Sequence, residues 1–211
     1  MSTLSFELIF TGPVRVGTGV AGNGMDEIVD QEHPLSETAL KGVLRDAARV
    51  LLPGTSHGDD AEDHPFVNQV FGEPGVIPCP WNFSVTTPDP AVKNRAGIKI
   101  GEKGVVEDGA LQIKEEIWFK SASRVKLEIY QRGNLTQLRA SEKWTSENIK
   151  NAHLALLHLA ARLTDKVGQR KTRGMGWVSF AMPKDNRRDV AADIKTLAEV
   201  KELFAQEEGA K

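Results

Sequence analysis

Apolar and polar positions alternate almost from the first residue. Leu4, Phe6, Leu8 and Phe10 are spaced by two, with Ser5, Glu7 and Ile9 between them, the period of a strand with one face in a core. Gly12-Pro13 ends that strand. Four glycines between Gly17 and Gly24 predict a loop, because glycine tolerates positive φ and close backbone approach. The period then lengthens to that of a helix. Leu40, Leu44, Ala47, Ala48 and Leu51 share one face, Ser36 is a fitting N-cap, Glu37 complements the helix dipole, and Pro53-Gly54 stops the helix. Phe66–Phe71 predicts a short second helix, and Trp81, Phe83 and Val85 predict a strand. Residues 88–109 lack apolar periodicity and read as an excursion from the core, shaped as a hairpin. The stretch Ile117–Tyr130 is extended, with Val125, Leu127 and Ile129 alternating with Arg124, Lys126 and Glu128. A long helix follows, from a cap at Thr145 or Ser146 through Val167, with Gly168 as C-cap. Its predicted apolar face is Ile149, Ala152, Leu156, Leu159 or Ala160, and Leu163. Trp177–Ala181 forms a last strand, and 189–211 an amphipathic helix with Val190, Ile194, Leu197, Val200 or Lys201, and Phe204 inward.

Strand, helix, strand, strand, helix, strand is the ferredoxin-like α+β plan, shared with RNA-recognition folds. The expected organisation is one domain over residues 1–184, with an insertion at about 88–116, and a helical tail over 185–211.

Composition narrows the classes. The chain has 211 residues, 40% of them hydrophobic, and its 27 Lys and Arg against 29 Asp and Glu leave a net charge of -2. A basic nucleic-acid tail and wholesale disorder are excluded; a local basic patch for RNA is not. The one cysteine, Cys79, excludes an internal disulfide and a cysteine-rich zinc site, and fits the reducing cytoplasm expected for this chain. No apolar run approaches the roughly 20 residues of a membrane helix, and Met1–Phe10 lacks the pattern of a signal peptide.

Three clusters carry candidate chemistry. Lys41, Arg45 and Arg49 form a basic stripe at i, i+4, i+8 on the first helix. Gly42 within it costs about 1 kcal/mol against alanine, which suits either a phosphate backbone approaching there or close packing on a strand. Residues 168–176 combine Arg170, Lys171 and Arg173 with Gly168, Gly174 and Gly176. That is either an anion-binding nest or a turn whose cations complement a helix C-terminus. Asp26, Glu27 and Asp30 follow the glycine-rich stretch; they are either solvated acids or groups for a divalent metal or a proton. The run His57–His64 reads as an acidic surface loop, and His153 and His158, five apart, as structural. No Gly-x-Ser-x-Gly, P-loop or His-Glu-x-x-His occurs.

The order of these pieces carries a resemblance. The acidic glycine loop, the helix opening on Ser36 to Arg45, Phe71-Gly72 before a strand, and Arg173-Gly174-Met175-Gly176 before the last strand resemble the RAMP superfamily of CRISPR proteins. Asn94–Glu116, with Arg95-Ala96-Gly97-Ile98, Gly109-Ala110-Leu111 and Glu115-Glu116-Ile117, resembles the thumb hairpin of its backbone subunits. The chain is most similar to the backbone subunit of a type III (Csm- or Cmr-like) antiviral effector complex. The resemblance implies a modified RNA-recognition fold with an inserted thumb hairpin. It implies guide-RNA binding by Ser36, Thr38, Lys41, Gly42, Arg45, Arg170, Lys171, Arg173, Gly174 and Gly176, and by Lys93 and Arg95 on the thumb. Base pairing with a complementary target RNA would then supply specificity, as in other RNA-guided effectors. Implied partners are other CRISPR effector subunits and stacked copies of the chain. It further implies a metal-dependent endoribonuclease using Mg²⁺ or Mn²⁺ at Asp26, with Asp30 as the competing alignment. The alternatives are a non-catalytic binding or capping RAMP subunit, a guide-processing endoribonuclease, and a ferredoxin-like domain unrelated to RNA.

Overall fold

The computed structural model describes residues 3–22, 24–54, 62–98, 104–106, 111–120, 124–135, 144–169 and 173–208. Its elements are β1 (Thr3–Phe10), α1 (Glu37–Leu51), α2 (Pro65–Phe71), β2 (Trp81–Thr86), β3 (Ala91–Gly97), β4 (Gln112–Trp118), β5 (Val125–Gln131), α3 (Ser146–Leu163), β6 (Val178–Ala181) and α4 (Val190–Glu208). Four strands form an antiparallel sheet in the order β2-β5-β1-β6. Omitting the β3–β4 hairpin, that order is the 4-1-3-2 of a ferredoxin-like fold, as the sequence pattern predicts.

The sheet's inner face follows from the period of two. Leu4, Phe6 and Leu8 from β1 and Val125, Leu127 and Ile129 from β5 are buried, while their alternates Glu7, Lys126 and Glu128 face outward. Each fully buried apolar side chain contributes about 1.5–3 kcal/mol. The helices close the core from one side. Ser36 caps α1 by accepting a hydrogen bond from the Ala39 N–H at 3.2 Å, and Leu40, Leu44, Ala47 and Ala48 point inward. α3 is buried on several faces because α1 and β6 lie against it on one side and α4 on another.

Three helix details depart from the pattern. α3 ends at Leu163, capped by Thr164, four residues before the expected limit. The backbone there turns extended so that Val167 N–H can donate to Gly176 C=O and Val178 N–H to Asp165 C=O. Leu163 is consequently 46% exposed. In α4 the expected Val190, Leu197, Val200 and Phe204 pack against the core, but Asp193 is buried in place of Ile194, which is 57% exposed. The cause is polar pairing. Asp193 Oδ2 lies 2.6 Å from His158 Nδ1, and Arg188 Nη2 donates to Asp193 Oδ1 at 2.6 Å. Burial works to raise the Asp193 carboxyl, but the His158 and Arg188 hydrogen bonds outweigh it and hold it below the ordinary value.

Both α3 histidines are structural, as their spacing suggests. His153 is fully buried, accepts from Trp81 Nε1 at 3.1 Å and packs edge-on against Phe66. Burial pushes its pKa down to about 3.

Candidate nucleic-acid interface

β3 and β4 pair over Ala91–Gly97 and Gln112–Trp118 as a separate two-stranded sheet. Its attachment runs through β4. Ile117 is fully buried and exchanges two 2.9 Å backbone hydrogen bonds with Val14. The glycine-rich stretch forms an irregular hairpin, joined by Gly17↔Val29 and Gly22↔Met25 bridges, and its second arm lies along β4. Asp26 N–H donates to Ile113 C=O at 2.9 Å, and Glu115 N–H to Glu27 C=O at 3.2 Å. Side chains reinforce the seam: Asp26 Oδ2 accepts from Ile113 N–H at 2.6 Å, and Glu115 Oε2 accepts from Val29 N–H at 3.0 Å.

This seam separates the three acids of the sequence motif. Asp26 is exposed on the hairpin. Glu27 points inward, with Arg15 Nη2 at 2.7 Å and Lys114 Nζ at 3.1 Å. Partial burial would raise its carboxyl, but the Lys114 hydrogen bond and the Arg15 and Lys114 charges hold it below the usual value. Asp30 closes a turn before α1, accepting from His33 N–H at 2.8 Å and Glu32 N–H at 2.9 Å. The His33 backbone bond leads in lowering its pKa. Among the described residues no three His, Cys, Asp or Glu side chains form a metal-sized group. A divalent ion at Asp26 would need oxygen ligands from outside these side chains.

On the hairpin, Arg95 bonds Glu116 through Nε and through Nη2, the latter at 3.2 Å. Lys93 Nζ lies 4.8 Å from the Trp118 ring centroid, and Trp118 Nε1 donates to Glu116 at 2.8 Å. Glu116, nearly buried, anchors the group: burial opposes its ionisation, but the Arg95 and Trp118 hydrogen bonds prevail and lower its pKa.

The α1 stripe is divided. Arg45 and Arg49 are both held by Asp63, at 2.6 Å and 2.5 Å; Arg45 also donates to Asn68 at 2.8 Å, and Arg49 to Asp46 at 2.7 Å. Asp63, expected in a flexible acidic surface loop, is thus a half-buried clamp whose burial is outweighed by hydrogen bonds from Arg49 and Arg45, so its pKa is lowered. His64 likewise caps α2 by accepting from Phe66 N–H at 3.1 Å; residues 57–61 of that run lie outside the described ones. Lys41 and Thr38 stay near the helix start, Thr38 donating to Ser36 at 3.2 Å. Gly42 is exposed, and a Cβ there would meet nothing within 4 Å. Close packing on a strand is therefore not its reason.

In the second glycine loop, Arg170, Lys171 and Thr172 lie outside the described residues. Arg173 and Gly174 are exposed, whereas Gly176 is buried at φ 78°. A Cβ on Gly176 would sit 2.0 Å from Val167 C=O, so close backbone approach dictates this glycine. The loop is sewn to the chain after β1: Gly176 N–H donates to Pro13 C=O, and Gln169 N–H to Arg15 C=O, both at 2.7 Å.

A family model described as the RAMP superfamily matches residues 7–179. The chain belongs to the RAMP superfamily. No curated protein matches the sequence. Among solved structures, this RAMP chain resembles a chain of "Cryo-EM structure of the Type III-B Cmr-beta bound to cognate target RNA" (TM-score 0.58, 11% identity, 89% of this chain and 99% of that one). It also resembles a chain of "Type IV-B CRISPR Complex" (TM-score 0.53, 14% identity, 89% and 93%). Both likenesses extend to the fold.

Sequence reasoning overlooked several residues that organise this RAMP chain's seam. Arg15 lies between Val14 and Val16 as a lone charge just past the Gly12-Pro13 stop, and only the reversal of the glycine hairpin brings Glu27 to it. Lys114, Glu115 and Glu116 form a charge run beside the apolar Ile117; that run was a legible sign of paired, half-buried charges.

Proposed function

We propose that this chain is a backbone subunit of a type III-like CRISPR effector that carries guide RNA and supports cutting of a complementary target RNA at Asp26. The observation that carries the reading is the exposed Asp26 carboxylate fastened to the β3–β4 hairpin, which bears Lys93 and Arg95. Membership in the RAMP superfamily supplies the context. Cations on the hairpin and at Lys41 and Arg173 would contact phosphates without reading sequence. With Arg45 and Arg49 committed to Asp63, Lys41 and the start of α1 would carry that helix's share.

In the cutting step a ribose 2′-hydroxyl attacks its own 3′-phosphate. The hydroxyl proton leaves toward the Asp26 carboxylate, the P–O5′ bond breaks, and the departing oxygen takes a proton from water. Products are a 2′,3′-cyclic phosphate and a 5′-hydroxyl. Mg²⁺ or Mn²⁺, when held by Asp26 and RNA oxygens, supplies charge neutralisation at the phosphate. The test is cleavage of complementary RNA by the guide-loaded complex. Asp26→Ala should lose about 100-fold in rate with guide affinity within about twofold, and Asp30→Ala should keep its rate. Stable guide binding with no cutting by the wild type would make this a structural subunit.

A further inference from the structure

One ion pair joins three parts of the molecule that the RNA reading treats separately. Arg15 is 1% exposed and lies just past β1, and its guanidinium holds Glu27 at 2.7 Å. The Arg15 carbonyl accepts from Gln169 N–H at 2.7 Å, and the Gln169 side chain also hydrogen-bonds to the Glu27 carboxylate. On its other side that carboxylate meets Lys114 of β4. Space is closed around it: a Cβ on Gly17 would lie 1.9 Å from Glu27 Oε1. Asp26 precedes Glu27 in the chain and bonds Ile113, which precedes Lys114. The Glu27 carboxylate therefore touches the glycine loop through Gln169, the hairpin through Lys114 and the core through Arg15. A buried pair of this kind is sensitive to loss of either partner, and lysine cannot reproduce the planar fork of arginine.

We propose that Glu27 and Arg15 are the positioning pair of the RNA site. They fix Asp26 and the hairpin relative to Gln169 and the chain after β1, so that the path of the guide and the point of cutting keep one separation. This rests on the RNA-binding and Asp26 readings above. Glu27 touches no reacting atom; it acts through Asp26 and through the placement of β4.

The test uses the guide-loaded complex with Glu27→Gln, and with Lys114→Met, which removes one contact and leaves the Arg15–Glu27 pair intact. Glu27→Gln should lower the kcat of target cutting by about 10- to 100-fold, with target KM and guide Kd within about twofold, since small misplacements cost on that scale. Lys114→Met should show the same split at about 3- to 10-fold, and it decides the matter should Glu27→Gln fail to fold. Chemical probing of the bound RNA gives a second readout. The nucleotide opposite the hairpin, sharply reactive in the wild type, should blur across its neighbours in both variants. Wild-type kcat and a wild-type probing pattern in the variants would overturn the positioning role alone. A wild type that binds guide without cutting would remove Asp26's role and leave the probing pattern to decide. A wild type that binds no guide would overturn the RNA reading itself.

Discussion

The four-stranded sheet and the hairpin use strands of comparable length, eight residues in β1 and seven in β3, yet they are held by different forces. The sheet buries apolar side chains from all four strands against α1 and α3. The hairpin buries Ile117, and otherwise relies on a backbone seam and on carboxylates bonded to Arg15, Lys114 and Arg95. Apolar burial is indifferent to small shifts in direction, whereas a bidentate or bridged ion pair fixes an angle. The core thus supplies stability and the seam supplies placement. That division would suit the RNA-binding role proposed above.

The comparison breaks most severely at the core. Phe6→Ala should cost about 3–5 kcal/mol and lower the urea midpoint of the whole chain, sheet and hairpin together. Acid acts next. His153 is held neutral with a pKa of about 3, so the unfolded chain takes up its proton first as pH falls below about 6. Stability should then fall by about 1.4 kcal/mol per pH unit until about pH 3. His153→Gln should flatten that dependence in urea titrations across the window. A smaller effect, confined to the hairpin, is expected from Arg95→Met, because Arg95 is half exposed. Amide exchange in residues 91–97 and 112–118 should quicken several-fold, about the scale of a weak surface pair, while Tm moves little. The smallest change sharpens the α1 reading. Gly42→Ala has room for its methyl and should stabilise by about 0.5–1 kcal/mol. A fall in guide affinity in that variant would place the RNA backbone against Gly42.

The sheet and its helices were legible in the sequence because burial there follows one period at a time. Leu4, Phe6 and Leu8 sit where alternation puts them, and Ser36 caps where an N-cap is needed. The pattern misled where a polar group outbid an apolar neighbour. Asp193 turned inward to meet His158, and Ile194 turned out. The candidate site was legible as residue types and not as roles. Asp26, Glu27 and Asp30 look alike in sequence. Their different fates, exposed on the hairpin, paired with Arg15, and closing a turn, depend on contacts up to 87 residues away. Arg45 and Arg49 read as a free basic face because Asp63, 18 and 14 residues on, belongs to a connection without periodicity.

The register of the central sheet has a consequence for synthesis. Thr3 pairs with Tyr130, and Glu7 with Ala181, so β1 has no neighbour in its sheet until the residues from Val125 on have left the ribosome. At about 5–20 residues per second, that delay is on the order of ten seconds. Throughout it, an apolar segment with two open edges is on offer to any other strand. Non-local pairing of this kind also slows folding once the chain is complete. A nascent-chain chaperone that covers β1 during that interval should raise the yield of this protein.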